Sequence, residues 1–593
     1  MLDRVNEVLV RRWRLVVVIA WLLYAGWYLF DRWNAIRGFG LGDTDDNLRL
    51  AQVRALLDGQ GWFDLRQHRL DPLHGGANIH WSRLVDLPIA GLILALRPLV
   101  GGVEAERWAC AIASLLPLLP MLGALALIAR RLIHPLAAPL ALAALLFAGS
   151  TAGMVQPLRI DHHGWQLAQL AVALAGMADP RRLRGGITAG VASALSLTIG
   201  LELLIYLALI GVAQVLFWVV DRDQRRRLIG YAASLSGGTA LGFLLFASAD
   251  NRGAVCDALS SVWLSDALLG AALLAGLAML RVERWTLRLA LAAAAGIVLA
   301  AFHALAFPHC LSRLEGVSPQ ATQLWLSHVK EARPVYRHGA EVAALTLALP
   351  ITGMVGYALL AWRARGDPDL LRRTLAVAAP AFAALALLMW QTRTGPAAQM
   401  MAIPGSVAIV FILAPLAFAS NNSVVRVLGT ALAVVAGMGA LVPLGSDYFP
   451  KDKVTPLSKR VGVANRRCPT LAALRPIAHQ PKGTIFTFVD FGPRIIAMTH
   501  HSAIAGPYHR NYPAIVDSML AFRGDAAQAH VIVSDKYHAD YLMICPDQSS
   551  ATIFMSEAPK GFYVQLARGE VPGWLAPVDL GPNSPWKMWR VIG

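Results

Sequence analysis

Long apolar blocks alternate with short basic clusters along most of this chain. A bilayer core of about 30 Å takes about 20 apolar residues as a helix. In lipid the backbone must satisfy its own hydrogen bonds, so such blocks are helices. Their Ala and Leu content also favours helix over barrel strand. The pattern predicts spans near 12–31, 107–130, 134–154, 164–179, 185–200, 201–220, 228–248, 262–280, 287–306, 341–362, 374–391, 397–418 and 424–444, 13 in all. The basic clusters are Arg11–Arg14, Arg130 with Arg131, Arg181–Arg184, Arg222–Arg227, Arg281–Arg288, Arg363–Arg373 and Arg426. Positive-inside bias puts them in the cytoplasm, with the N-terminus inside and the C-terminus outside. No small-residue cleavage site follows the first apolar run, which reads as an uncleaved span.

This topology predicts a transmembrane domain over 1–444 of a bacterial inner-membrane protein. Its periplasmic loops are 32–106, 155–163 and 307–340. The apolar stretch 87–100 is short for a span and reads as a membrane-surface helix. From 445 to 593 the pattern changes. "GTIFTFVDFG" and "AHVIVSDKYHADYLMICPD" are β-rich runs, and "YPAIVDSMLAFRGD" between them has helical spacing. That order predicts a periplasmic α/β domain.

Composition agrees: the chain is 56% hydrophobic and 15% charged, against about 25% charged in soluble proteins. The net charge of +16 is scattered among the helical connections, so the single basic face of a nucleic-acid binder is missing. Of five cysteines, Cys256 and Cys310 lie in polar loops and Cys468 and Cys545 in the C-terminal region. Two even pairs suit an oxidising periplasm, with connectivity open. Cys110 sits in an apolar run and reads as a packing residue.

The candidate chemistry lies on the outer side. Asp43, Asp45 and Asp46 open the first loop ahead of a helical pattern. One aspartate serves as a cap; three exceed that need and suit Mg²⁺ or Mn²⁺. "PLRIDHHGWQ" places Arg159, Asp161, His162 and His163 between two spans, where Asp161 and His163 offer two ligand atoms. Glu315, His328 and Glu331 lie in the third segment, and Arg393 between two later spans has the fork to hold a phosphate. Glu202 begins a span as a candidate buried charge. Asp490, Arg494, His500, His501, His509 and Arg510 form a polar loop cluster in the C-terminal region, with ligand spacing poor for zinc. No GxSxG elbow, P-loop or GxGxxG opening a helix is present.

In the order of these parts the chain resembles the glycosyltransferase C superfamily, closest to the catalytic subunit of oligosaccharyltransferases. The features that carry the resemblance are "DTDDNLRLAQVRALLDGQGWFD" in the first loop, "RIDHHGWQ" in the second and "FVDFG" in the C-terminal region. Asp161 matches the first acid of the family's second-loop motif, and His163 stands at the second. "FVDFG" matches the family's Trp-Trp-Asp-Tyr-Gly at Asp490 and Gly492, with Phe488, Val489 and Phe491 substituted. The resemblance implies 13 spans, an outer C-terminal domain, a divalent cation and a sugar donor on a polyprenyl phosphate or diphosphate. The acceptor it implies is a glycan, a lipid or a protein. On this reading Arg159 and Arg393 hold the donor phosphate. Glu315, Glu331, Asp490, Arg494, His509 and Arg510 contact donor or acceptor. A glycolipid transporter or flippase, or a glycan-binding membrane protein, stays open beside it.

Overall fold

The computed structural model describes residues 7, 9–312, 316–450 and 454–592. Helices occupy all thirteen segments in which the apolar blocks predict them. Eight are long and apolar enough to cross a membrane: Trp13–Asp31, Gly102–Leu132, Arg222–Phe246, Ser261–Met279, Trp285–Ala306, Ala340–Gly366, Pro368–Leu387 and Thr392–Phe418. The bent pair Ala137–Phe147 and Gly149–Val155 makes a ninth if it is one span. This is the architecture of a polytopic helical membrane protein.

Four helices fall short of that test among the described residues: His163–Met177, Arg182–Ile199, Leu204–Val220 and Val425–Gly437. The first has a physical reason, because protein rather than lipid surrounds it, while Arg182–Ile199 packs on it and keeps an exposed stripe of Leu183, Ile187, Val191 and Leu195. Most of His163–Met177 is buried. A Cβ on Gly176 would lie 2.7 Å from Ala189 N, and one on Gly190 would collide with Ser234 Oγ. Small residues bring these backbones together, and close packing replaces the lipid contact that high hydropathy serves. Asp86–Val100 is one helix, with Ile89, Ala90 and Ile93 buried and Leu87, Leu94 and Leu99 exposed.

The C-terminal region is built on a five-stranded sheet. Its strands are β1 (Thr484–Phe486), β2 (Ser502–Ala503), β3 (Tyr541–Ile544), β4 (Leu575–Val578) and β5 (Lys587–Val591). Their order is β2-β1-β3-β5-β4. β1 runs parallel to both neighbours, and β5 runs antiparallel to β3 and β4. Helix Tyr512–Arg523 lies between strands as expected. One expectation is corrected: Val531–Lys536 is helical, not extended. It continues Ala526–His530, whose cap Asp525 accepts the Gln528 N–H at 2.8 Å. The cap starts a helix that turns Ile532 and Val533 inward, so position overrides their β preference.

The C-terminal region and the first loop share one apolar core. Leu48, Leu65, Leu70, Ile79 and Trp81 pack in the same cluster as Phe486, Phe488, Ile515 and Leu542. Arg69 Nη2 donates to Thr499 O and to His501 O, both at 2.6 Å. Asp71 N donates to Ala503 O at 2.8 Å. Cys256 is bonded to Cys310 and Cys468 to Cys545, while Cys110 is buried and free.

Candidate active site

The first loop supplies a helix, Thr44–Leu57, that starts among the three aspartates. Asp43 caps it and accepts the Thr44 N–H at 2.6 Å. Asp46 lies in the first turn, fully buried, and its Oδ1 accepts the backbone N–H of Asp161 at 3.0 Å. Arg159 draws the two loops together. Its Nη1 lies 2.6 Å from Asp43 Oδ2 and 3.3 Å from Asp46 Oδ2, and its Nη2 lies 3.8 Å from Asp161 Oδ2. The turn that presents Arg159 passes through Leu158 at φ 72°. That left-handed conformation costs about 1–3 kcal/mol in a residue other than glycine. Burial of Leu158 and its N–H bond to Cys110 O at 3.2 Å hold it.

Asp161 has two differently treated oxygens. Oδ1 accepts the His162 backbone N–H at 2.6 Å and faces His162 Nδ1 at 2.5 Å. Oδ2 is buried without a hydrogen-bond partner, with His163 Nε2 at 3.4 Å. The other ring nitrogen of His162, Nε2, faces Glu202 Oε1 at 2.8 Å. Behind this row Trp81 stacks near His162 at 5.2 Å between centroids and under the Arg49 guanidinium at 4.6 Å. Arg49 pairs with Asp86 at 2.8 Å, and Arg83 lies 3.6 Å from the same carboxylate. Tyr508, from the C-terminal region, meets Trp81 edge-on and donates its hydroxyl to Thr44 O at 3.2 Å.

Charge in this cluster is out of balance. Six carboxylates (Asp43, Asp45, Asp46, Asp86, Asp161 and Glu202) stand against four cations (Arg49, Arg83, Arg159 and His162). The excess of two negative charges appears in the titration behaviour. Burial, then repulsion from Asp161 and Asp43, raises Asp45 well above the usual carboxylate range. Burial pushes Asp46 up to about 7 against the pull of Arg159. Asp161 goes the other way: burial opposes ionisation, but His162 and His163 outweigh it and hold the group well below its ordinary value. Burial likewise opposes the charge on His162, yet Asp161 and Glu202 raise it to about 10.

These residues fit a divalent cation. Asp161 Oδ2 is a buried oxygen without a hydrogen-bond partner, and ligand atoms of Asp161, His162 and His163 lie within 4.8 Å of one another. Both nitrogens of His162 already face carboxylates, which leaves Asp161 and His163 as the available donors of that group, with Asp46 beside them engaged by Asp161 N–H and Arg159. A second convergent group, Cys256, His309 and Cys310, is closed to metal because its sulfurs form the disulfide.

The remaining candidates lie elsewhere. Arg494 is buried, donating to Asn47 Oδ1 at 3.0 Å and Phe39 O at 3.3 Å, and so ties the C-terminal region to the first loop. His509 and Arg510 both bond Asp257. Asp490 is exposed and accepts the Ser550 hydroxyl at 2.5 Å; Phe488 and Val489 beside it are core residues. Arg393 faces Glu331 at 3.9 Å, and no hydrogen bond or ion pair among the described residues joins either to Asp161. His328 pairs with Glu557, and His501 Nε2 donates to Ile477 O at 2.9 Å. Glu315 lies outside the described residues. Sequence reasoning missed Arg49, His80, Trp81 and Asp257. The only signal for the middle pair was a His-Trp dipeptide in a loop already rich in polar groups.

No protein-family model and no curated protein sequence matches the chain. Solved structures do. The archaeal oligosaccharyltransferase AglB from Archaeoglobus fulgidus, in complex with an inhibitory peptide and a dolichol-phosphate, aligns at a TM-score of 0.68 and 18% identity, over 96% of this chain and 73% of that one. The Archaeoglobus fulgidus enzyme tethered to an acceptor peptide containing the NVT sequon aligns at 0.67 and 16%, over 98% and 74%. Its complex with Zn and sulfate aligns at 0.62 and 17%, over 97% and 73%. The chain thus has the fold of this archaeal oligosaccharyltransferase.

Proposed function

We propose that this protein is a metal-dependent glycosyltransferase that moves a sugar or glycan from a polyprenyl phosphate or diphosphate to an acceptor. The reaction takes place on the periplasmic side of a bacterial inner membrane. All thirteen helical segments span the membrane, and the region from 445 docks on the outer face. The observation that carries the reading is Asp161, whose Oδ2 is buried without a hydrogen bond inside a carboxylate cluster on an oligosaccharyltransferase-like fold.

Asp45, Asp46, Asp161 and His163 would hold a Mn²⁺ or Mg²⁺ ion. When bound, the ion neutralises charge on the departing phosphate. Arg393 binds the donor phosphate through its guanidinium fork. The acceptor heteroatom attacks the anomeric carbon, the carbon–oxygen bond to phosphate breaks, and the polyprenyl phosphate leaves with the electron pair. One aspartate of the first loop, Asp43, Asp45 or Asp46, takes the acceptor's proton. Titratable groups here sit in loops and helix ends, whereas a transporter places coupling charges near the bilayer midplane.

The test uses the purified full chain in detergent, with Asp161→Asn and Asp46→Asn variants. Thermal midpoints are followed against Mn²⁺, Mg²⁺ and a short-chain polyprenyl-phosphate sugar. A rise dependent on cation and donor, lost in Asp161→Asn, supports the reading. Folded protein that shifts with no cation and no carrier overturns it, and a transporter assay then follows.

A further inference from the structure

Glu202 lies outside the proposed donor set, yet it is the most heavily engaged carboxylate near it. It sits in the tight turn between Arg182–Ile199 and Leu204–Val220. Oε1 faces His162 Nε2 at 2.8 Å and His80 Nε2 at 3.8 Å, and Oε2 accepts from Gln166 Nε2 at 2.5 Å. The turn is shaped for this fold-back: a Cβ on Gly200 would collide with Glu202 Oε2 and lie 3.1 Å from Gln166 Nε2. Two separate parts of the chain, the first loop and the segment from His162 to Gln166, thus converge on one side chain.

We infer that Glu202 and His162 are positioning residues that fix which oxygen of Asp161 faces the cation. The argument rests on the geometry of the ring. Each ring nitrogen of His162 faces a carboxylate and Arg49 Nη2 lies 3.3 Å from Nδ1, so the plane of the ring is set from both ends. Its Nδ1–H and backbone N–H together occupy Asp161 Oδ1. Rotation of the carboxylate would break both bonds, so Oδ2 stays turned into the site with its lone pairs free. Trp81 against one part of the ring and His163 at 4.4 Å keep His162 from swinging away. Without Glu202 the Nε2 end of the ring loses its carboxylate, and the ring can tilt and draw Asp161 Oδ1 with it. Partners one bond removed from a metal tune affinity about 10–100-fold.

This inference rests on the metal-site reading above, and the experiment separates the two. Mn²⁺ binding to the full chain in detergent is measured by electron paramagnetic resonance of the free ion, for the unaltered protein, Glu202→Gln and Glu202→Ala. Gln keeps an acceptor for Nε2–H and loses the charge; Ala loses both. The expected result is Mn²⁺ affinity about 10–100-fold weaker in Glu202→Ala and intermediate in Glu202→Gln, with folding verified by the metal-free thermal midpoint. The near-isosteric Glu202→Gln carries the test if Glu202→Ala does not fold. Unaltered protein that binds Mn²⁺, with variants that bind it equally well, overturns the positioning role alone. Unaltered protein that binds no divalent cation overturns the metal site and this inference with it.

Discussion

Arg510 forks onto Asp257, with Nε 2.7 Å from Oδ2 and Nη2 2.6 Å from Oδ1. The pair joins the C-terminal region to the loop between Arg222–Phe246 and Ser261–Met279. His509 Nε2 meets the same carboxylate at 2.5 Å, and Arg510 Nη1 donates to Asn78 Oδ1 and Asn251 Oδ1. One residue before Asp257, Cys256 is tied to Cys310. The clamp therefore fixes the loops that carry Asn78, Asp257 and Cys310 and the C-terminal region at one point.

Asp257→Asn should loosen this docking. Removing one charge from a mostly buried pair leaves its partner uncompensated, at a cost of about 3 kcal/mol. Limited proteolysis of the full chain is the readout, with faster cleavage around 445–456 expected in the variant. An unchanged cleavage rate would mean that the shared apolar core alone holds the region in place.

Acid should release the same clamp only at low pH. Burial opposes ionisation of Asp257, but hydrogen bonds from Arg510 and His509 outweigh it and hold the group well below its ordinary value of 3.8. A depressed carboxylate contributes stability that is full above the unfolded value and is lost as pH falls toward the folded one. Docking monitored by proteolysis with an acid-active protease should be flat from pH 7 to about 5 and fall off below about 4.

Arg159→Ala should destabilise the metal-free protein more than the Mn²⁺-loaded protein. Arg159 is the cation that spans Asp43, Asp46 and Asp161, and its loss deepens the negative excess. The metal-free cost is about 3 kcal/mol. A bound divalent ion replaces that charge, so saturating Mn²⁺ should restore most of the lost midpoint. Equal losses with and without Mn²⁺ would place the ion elsewhere.

Reduction of Cys468–Cys545 should weaken the sheet selectively. The bond closes a loop with a sequence separation of 77, which corresponds to about 4 kcal/mol of chain entropy. Cys545 directly follows β3, so hydrogen exchange of Tyr541–Ile544 should accelerate in the Cys468→Ser, Cys545→Ser double variant while the helices near Asp161 keep their protection. Uniform acceleration would show that the sheet and the bundle unfold together.

The sequence by itself determined the thirteen helical segments, the helix that opens among Asp43, Asp45 and Asp46, the β1 and β3 strands and the candidacy of Asp161. These are local signals: apolar block length, caps and strand period are written within about 20 neighbouring residues. Tertiary structure alone decided the rest. His162 became the ring between Asp161 and a Glu202 that lies 40 residues beyond it, and Arg510 found Asp257, 253 residues away. The first loop entered the core of the C-terminal region. The cap at Asp525 and the burial of Ile532 and Val533 made a helix where β-rich composition predicted a strand. Such pairings have no period and no local composition to mark them, because a charged side chain is written identically whether it meets water, lipid headgroup or a partner brought near by the fold.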